Sequence, residues 1–89
     1  MAHDVFISYA TENKRVADAI CARLEQAHIR CWIAPRDIPS GASWPAAITE
    51  AIRASRVMVL VFTANSNNSG DVLKEVSLAS KHNKAILPF

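Results

Sequence analysis

Few side chains in this 89-residue sequence have the type and spacing to do chemistry. Asp71 and Glu75 lie four residues apart, so a helix there puts two carboxylates on one face. On their own they read as a solvated acidic surface. Arg36 and Asp37 are adjacent opposite charges that can pair with each other within a loop. Tyr9 follows an apolar run, where its ring can stack on a planar ligand. Cys21 and Cys31 are too few for the disulfide framework of a secreted domain, and their spacing fits no zinc knuckle. They read as two buried or half-buried thiols in a reducing compartment. His3, His28 and His82 are too widely spaced to suggest a metal site and are expected at the surface.

Several chemistries are excluded by what the sequence lacks. It has neither G-x-G-x-x-G nor G-x-x-x-x-G-K-[ST], which removes a standard dinucleotide fold and a P-loop. No nucleophile elbow is present. A response-regulator receiver needs an Asp just after its third strand, and Thr63-Ala64 supplies none. Ten Lys and Arg against eight Asp and Glu leave a net charge of +2, and Lys14-Arg15 is the one adjacent basic pair. Nothing here resembles a phosphate-binding stripe, so nucleic acid is not an expected partner. Met1-Ala2-His3-Asp4 lacks the features of a signal peptide, and the run Val57–Phe62 is far too short to span a bilayer. The expectation is a cytoplasmic domain with no membrane contact.

The elements that must position these residues follow from hydrophobic pattern. At 51% apolar and 20% charged, the chain has the balance of a folded domain, and its length allows one at most. Four apolar runs read as strands: Val5-Phe6-Ile7, Cys31-Trp32-Ile33, Val57–Phe62 and Ala85-Ile86-Leu87. The third is continuous and rich in β-branched residues, the mark of a central strand covered on both faces. Three helices alternate with them. The first is predicted to start at Thr11 as N-cap, with the stripe Val16, Ile20, Leu24 and Ala27. The second follows Ser43, with Pro45 in its first turn and Ile48 and Ile52 one turn apart. The third follows Ser69 and buries Val72, Val76 and Ala79. Asn65–Gly70 reads as a polar loop. Trp32 is expected within the sheet, and Trp44 as a packing anchor of the second helix.

Strand and helix in short alternation imply right-handed crossovers and a parallel sheet. In such a sheet ligands bind beyond the carboxyl ends of the strands. That rim carries Ser8-Tyr9-Ala10, Ala34-Pro35-Arg36-Asp37 and the Thr63–Gly70 segment. Ala34 and Ile38 each precede a proline and are pushed toward extended geometry, and with Gly41 they suggest a shaped, projecting loop. A sheet ending at Ala85-Ile86-Leu87 exposes an apolar edge, so either the sequence is a fragment of a longer chain, the favoured expectation, or a partner covers that edge.

Asp4-Val5-Phe6-Ile7-Ser8-Tyr9-Ala10 resembles the first box of the Toll/interleukin-1 receptor (TIR) domain family, especially its bacterial members. Cys31–Gly41 is similar to the family's second strand and BB loop. Ala51-Ile52 followed by Ser55–Thr63 resembles the third-strand region, and Lys74-Glu75 with Ala85–Phe89 the third helix and fourth strand. The resemblance covers residues 1–89 in order. It implies a flavodoxin-like α/β fold, strand order 2-1-3-4 with helices on both faces, truncated before a fifth strand.

The resemblance also implies two functions. Some TIR domains are non-catalytic adaptors that associate with other TIR domains. Others, many of them bacterial, act as NAD nucleosidases when self-assembled, cleaving the nicotinamide–ribose bond, often in antiphage defence. The enzymatic members use a glutamate in a Trp-x-x-x-Glu pattern on the third helix. Glu75 occupies the glutamate position and is the expected catalytic residue, while Asp71 stands at the Trp position. Tyr9, Ala10, Ala34, Arg36, Asp37 and Ile38 are the expected contacts to NAD, which is substrate and not cofactor. No metal or other cofactor is implied, and the expected partners are other TIR domains.

Overall fold

The computed structural model describes residues 3–89. Its four strands are β1 (Val5–Ser8), β2 (Cys31–Trp32), β3 (Val57–Leu60) and β4 (Ala85–Pro88). They form one parallel sheet in the order β2-β1-β3-β4. This is the flavodoxin-like arrangement. The apolar run that reads as central is central: β3 pairs with β1 on one side and β4 on the other.

Alternation along the strands divides the core into two layers. Val5, Ile7, Cys31, Ile33, Val59 and Val61 pack with Ala17, Ile20 and Cys21 of helix α1 (Lys14–Gln26). Phe6, Trp32 and Met58 face the other way, onto Ala51 and Ile52 of α2 (Trp44–Ala54) and Ala79 of α4 (Gly70–Lys81). Trp32 lies in the sheet layer as expected, stacked on Phe6 with ring centroids 5.1 Å apart. Cys21 and Cys31 are free and buried. Burial raises both thiols, Cys31 to about 12, so neither forms a thiolate near neutral pH.

Helix starts follow local chemistry, with three corrections. Ser43 and Ser69 cap α2 and α4 by accepting from the Ala46 and Val72 N–H groups. Thr11 is not an N-cap. It opens a 3-10 turn, Thr11–Asn13, that leads into α1 with no side-chain cap. The buried stripe of α1 is also only partly the expected one: Ile20 is buried and Leu24 half-buried against the core, but Ala17 and Cys21 complete the face, while Val16 is 46% exposed and Ala27 is exposed. The small side chains of Ala17 and Cys21 let the helix lie close to the strands. Finally, the expected loop after β3 contains one helical turn, α3 (Ala64–Asn67), closed by a Thr63/Ser66 capping box. The Thr63 hydroxyl also donates to Asn13 Oδ1 at 2.8 Å, tying α3 to the start of α1.

The ends of α1 and α4 are built alike. His28 (φ 65°) and Asn83 (φ 58°) take the left-handed conformation, and the next N–H, of Ile29 or Lys84, returns to the carbonyl of Leu24 or Ala79. His28 is exposed, whereas His3 and His82, expected at the surface, are half-buried. Beyond β4 no strand pairs among the described residues, and Leu87 and Phe89 are exposed there. No helix among the described residues is long and apolar enough to cross a membrane.

Candidate active site

The site forms where the carboxyl end of β1 meets α4. Val72 and Ala79 of α4 are buried and Val76 half-buried, and this packing sets the helix rotation. Glu75 falls at the edge of that face and is half-buried, while Asp71, one turn earlier, stays exposed. Alternation along β1 turns Ser8 to the Phe6 side of the sheet, toward α4. Its hydroxyl donates to Glu75 Oε1 at 2.6 Å across 67 residues of sequence.

Glu75 lines an open cleft of about 940 Å³, with Ser8 buried behind it. Tyr9, Ala34, Pro35, Trp44, Asp71, Lys74 and Glu75 are among its lining residues. That size and mixture, apolar walls with a few polar groups, is what a small-molecule site requires. Glu75 is the distinctive group. No cation pairs with it among the described residues, and its carboxyl is raised to about 7. Loss of hydration is the main cause, and the negative charge of Asp71 adds to it. The Ser8 hydrogen bond acts the other way, favouring the ionised form. The result is a carboxylate that changes charge near neutral pH inside a cleft, the condition in which acid–base and electrostatic catalysis operate.

Of the residues expected to contact NAD, the structure gathers Tyr9 and Ala34 with Glu75 and leaves the others apart. The Tyr9 hydroxyl donates to the Ala34 carbonyl, linking β1 to the loop after β2. Burial raises the Tyr9 phenol. Ala10 is buried and does not line the cleft. Arg36 and Asp37 do not line it either. Arg36 folds back over α1, with Nη1 and Nη2 on the Glu25 carboxylate at 3.0 and 2.9 Å, and Nη2 on the Cys31 carbonyl and Asp37. Asp37 accepts the Ile33 N–H at 2.9 Å, so its carboxylate closes the loop. Ile38 does not project: it packs half-buried against the Phe6, Trp32 and Ile52 layer. The shaped loop is real, with Gly41 at φ 79°, but its side chains at 36–38 point inward to hold it.

Trp44 was not legible as a site residue. Expected as a packing anchor, it is 55% exposed and lines the cleft with Pro45. A helix-first-turn Trp beside Pro is ambiguous in sequence, because the first turn of α2 rises out of the core. A second cleft, about 530 Å³ and lined by His3, Glu25, His28, Arg30 and Arg36 among others, has charges committed to ion pairs such as Arg36–Glu25. No group of three or more His, Cys, Asp or Glu able to hold a metal ion occurs among the described residues.

A family model described as TIR domain matches residues 5–89. No curated protein matches the chain. Among solved structures, the TIR domain of the Toll-related receptor TRR-2 from Hydra magnipapillata is similar, with TM-score 0.88 and 25% identity over 98% of this chain and 69% of that one. The TIR domains of the activated Roq1 resistosome, which directly recognises the pathogen effector XopQ, superpose with TM-score 0.86 and 25% identity, covering 98% of this chain and 56% of theirs. A metazoan TIR-STING receptor from C. gigas gives TM-score 0.82 and 25% identity, covering 98% and 30%.

Proposed function

The chain belongs to the TIR domain family, and on that premise we propose that it cleaves the nicotinamide–ribose bond of NAD with Glu75 as the catalytic carboxylate. One observation carries this reading: a half-buried glutamate, paired with no cation among the described residues and raised to about 7, opens into a cleft of about 940 Å³ beside two aromatic rings. Such a group suits a reaction that develops positive charge. As the C–N bond breaks, its electron pair leaves with the cationic nicotinamide ring, which departs neutral, so no general acid is needed. The ribose becomes oxocarbenium-like, and an ionised Glu75 beside it stabilises that charge or holds the ribose hydroxyls. Water then adds to the anomeric carbon and releases its proton, giving ADP-ribose.

The aromatic wall that the family's motif Trp would provide is supplied here by Tyr9 and Trp44, which flank planar rings of the substrate. Activity depends on self-assembly with other TIR domains. The exposed tip of the 34–41 loop, Pro39-Ser40-Gly41, is the contact, since Arg36 and Ile38 are engaged within the protomer. A bacterial-type TIR domain acting in cytoplasmic antiphage signalling is the biological setting of this proposal.

The test is to incubate concentrated protein with NAD and follow nicotinamide by liquid chromatography. Release by the wild type and its loss in Glu75→Gln are expected. Absence of release from an assembled wild-type sample contradicts the enzymatic reading and leaves the alternative of a non-catalytic TIR–TIR interaction module, a reading compatible with neighbours that are receptors.

A further inference from the structure

We infer that Ser8 is a positioning residue for Glu75: its hydroxyl holds Oε1 against the end of β1 and leaves Oε2 to face the cleft. The inference rests on the proposed role of Glu75, and it begins from an oddity of β1. Val5, Phe6, Ile7 and Ser8 are all buried, and Ser8 is 0% exposed. A hydroxyl at such a position loses its water and needs a protein partner, whereas alanine would pack there at no such cost. The partner of Ser8 Oγ is Glu75 Oε1 at 2.6 Å, a short, charge-assisted geometry. The Ser8 carbonyl is separately engaged by the Val61 N–H at 2.9 Å, so the side chain is not required to complete the sheet.

The consequence for Glu75 is geometric first. A glutamate side chain has three rotatable bonds, and the helix alone does not choose among its rotamers. A fixed donor on a central strand chooses one. No protein group donates to Oε2 among the described residues, so that oxygen is the one available to a ribose. The electrical consequence follows from the same contact. Burial and Asp71 push Glu75 toward its neutral form, and the Ser8 bond pulls it back. The other charged or titratable groups lining the cleft are Tyr9, just after β1, Lys14 from α1 and Lys74 from α4; α2 contributes none. Lys14 is paired with Asp18 at 2.8 Å.

The test is a carboxyl-carbon NMR titration of Glu75 in the wild type and in Ser8→Ala, with Glu75→Gln identifying the signal. Removing the donor is expected to raise the Glu75 midpoint by about one pH unit, the size of a charge-assisted hydrogen bond. In the cleavage assay, the acid limb of Ser8→Ala moves up by the same amount, so its activity at pH 7 falls severalfold and recovers at higher pH. A folded Ser8→Ala with an unmoved midpoint overturns the inference. Where Ser8→Ala does not fold, the Ser8 hydroxyl proton of the wild type decides. Its shift tracking the Glu75 titration supports the contact, and independence of the two overturns it. Because the titration needs no substrate, a chain that titrates as expected and releases no nicotinamide rejects the catalytic reading alone.

Discussion

Two glutamates, Glu25 and Glu75, lie at opposite sides of the same sheet and have opposite fates. Glu25 is exposed and gripped by both terminal nitrogens of Arg36, and this hydrogen-bonded pairing lowers its carboxyl while raising the guanidinium. Glu75 is half-buried, meets a hydroxyl and, among the described residues, no cation, and is raised to about 7. The pair teaches how to separate structure from chemistry in a small α/β domain. Where charge is matched, the residues serve the loop: Arg36 ties α1, β2 and Asp37 together. Where a charge is desolvated and left unmatched in a cleft, folding gains nothing from it and catalysis can.

The largest effect that sharpens this contrast is on turnover. Glu75→Gln keeps the side-chain shape and the Ser8 contact but removes the charge, and nicotinamide release is expected to fall by about 100-fold or more. Loss of only a few fold breaks the contrast by making Glu75 dispensable.

Stability supplies the next test, and its sign is unusual for a carboxylate. Glu75 has a raised pKa in the folded state, so between its unfolded value and about 7 the folded chain binds the extra proton. The stability of the neutral form is present at acid pH and is lost as pH rises to about 7. Urea melts at pH 8 are therefore expected to show Glu75→Gln more stable than wild type by about 2–3 kcal/mol, and the gain to shrink toward pH 5. A variant less stable than wild type at pH 8 contradicts the burial argument.

A smaller loss follows from Trp44→Ala, which removes an aromatic wall from the cleft. The apparent affinity for NAD is expected to weaken about tenfold, with little change in melting temperature, since the ring is mostly exposed. Intrinsic fluorescence reads it directly: Trp32 is buried and Trp44 is not, so quenching by NAD belongs to Trp44. Quenching that survives in Trp44→Ala places the ligand elsewhere.

The smallest effect is expected on the matched side. Arg36→Ala removes an ion pair that is nearly half exposed, and screening limits its cost to at most about 1 kcal/mol by urea melt. Nicotinamide release per folded molecule is expected to stay within about twofold, a change smaller than the loss of a single neutral hydrogen bond produces. A large catalytic loss would put Arg36 back among the substrate contacts.

These outcomes also mark what sequence could carry. The strands were legible because Val57–Phe62 and its shorter companions are apolar runs of the right length, and Ser43 and Ser69 announce their helices by a local rule. The α3 turn was missed although its signal, Thr63 with Ser66 three residues on, was present; the Asn-rich composition masked it. Ile38 and Trp44 exchanged roles, the first turned inward and the second outward, because neither a loop's fold-back nor the lift of a helix's first turn is encoded locally. Glu75 was found through a family resemblance, yet its unusual state was not. That state arises from burial where α4 packs on the sheet and from the nearby Asp71 charge, with Ser8 opposing both, and only tertiary structure brings the three together.

The central claim is that the ionised form of one unpaired carboxylate does the chemistry, and the pH profile of nicotinamide release tests it most directly. With assembled wild-type protein and saturating NAD between pH 5 and 9, release is expected to rise through a midpoint near 7 and then level, while Glu75→Gln stays at baseline throughout. A wild-type profile that is flat across this range, or a Glu75→Gln profile that follows it, contradicts the account.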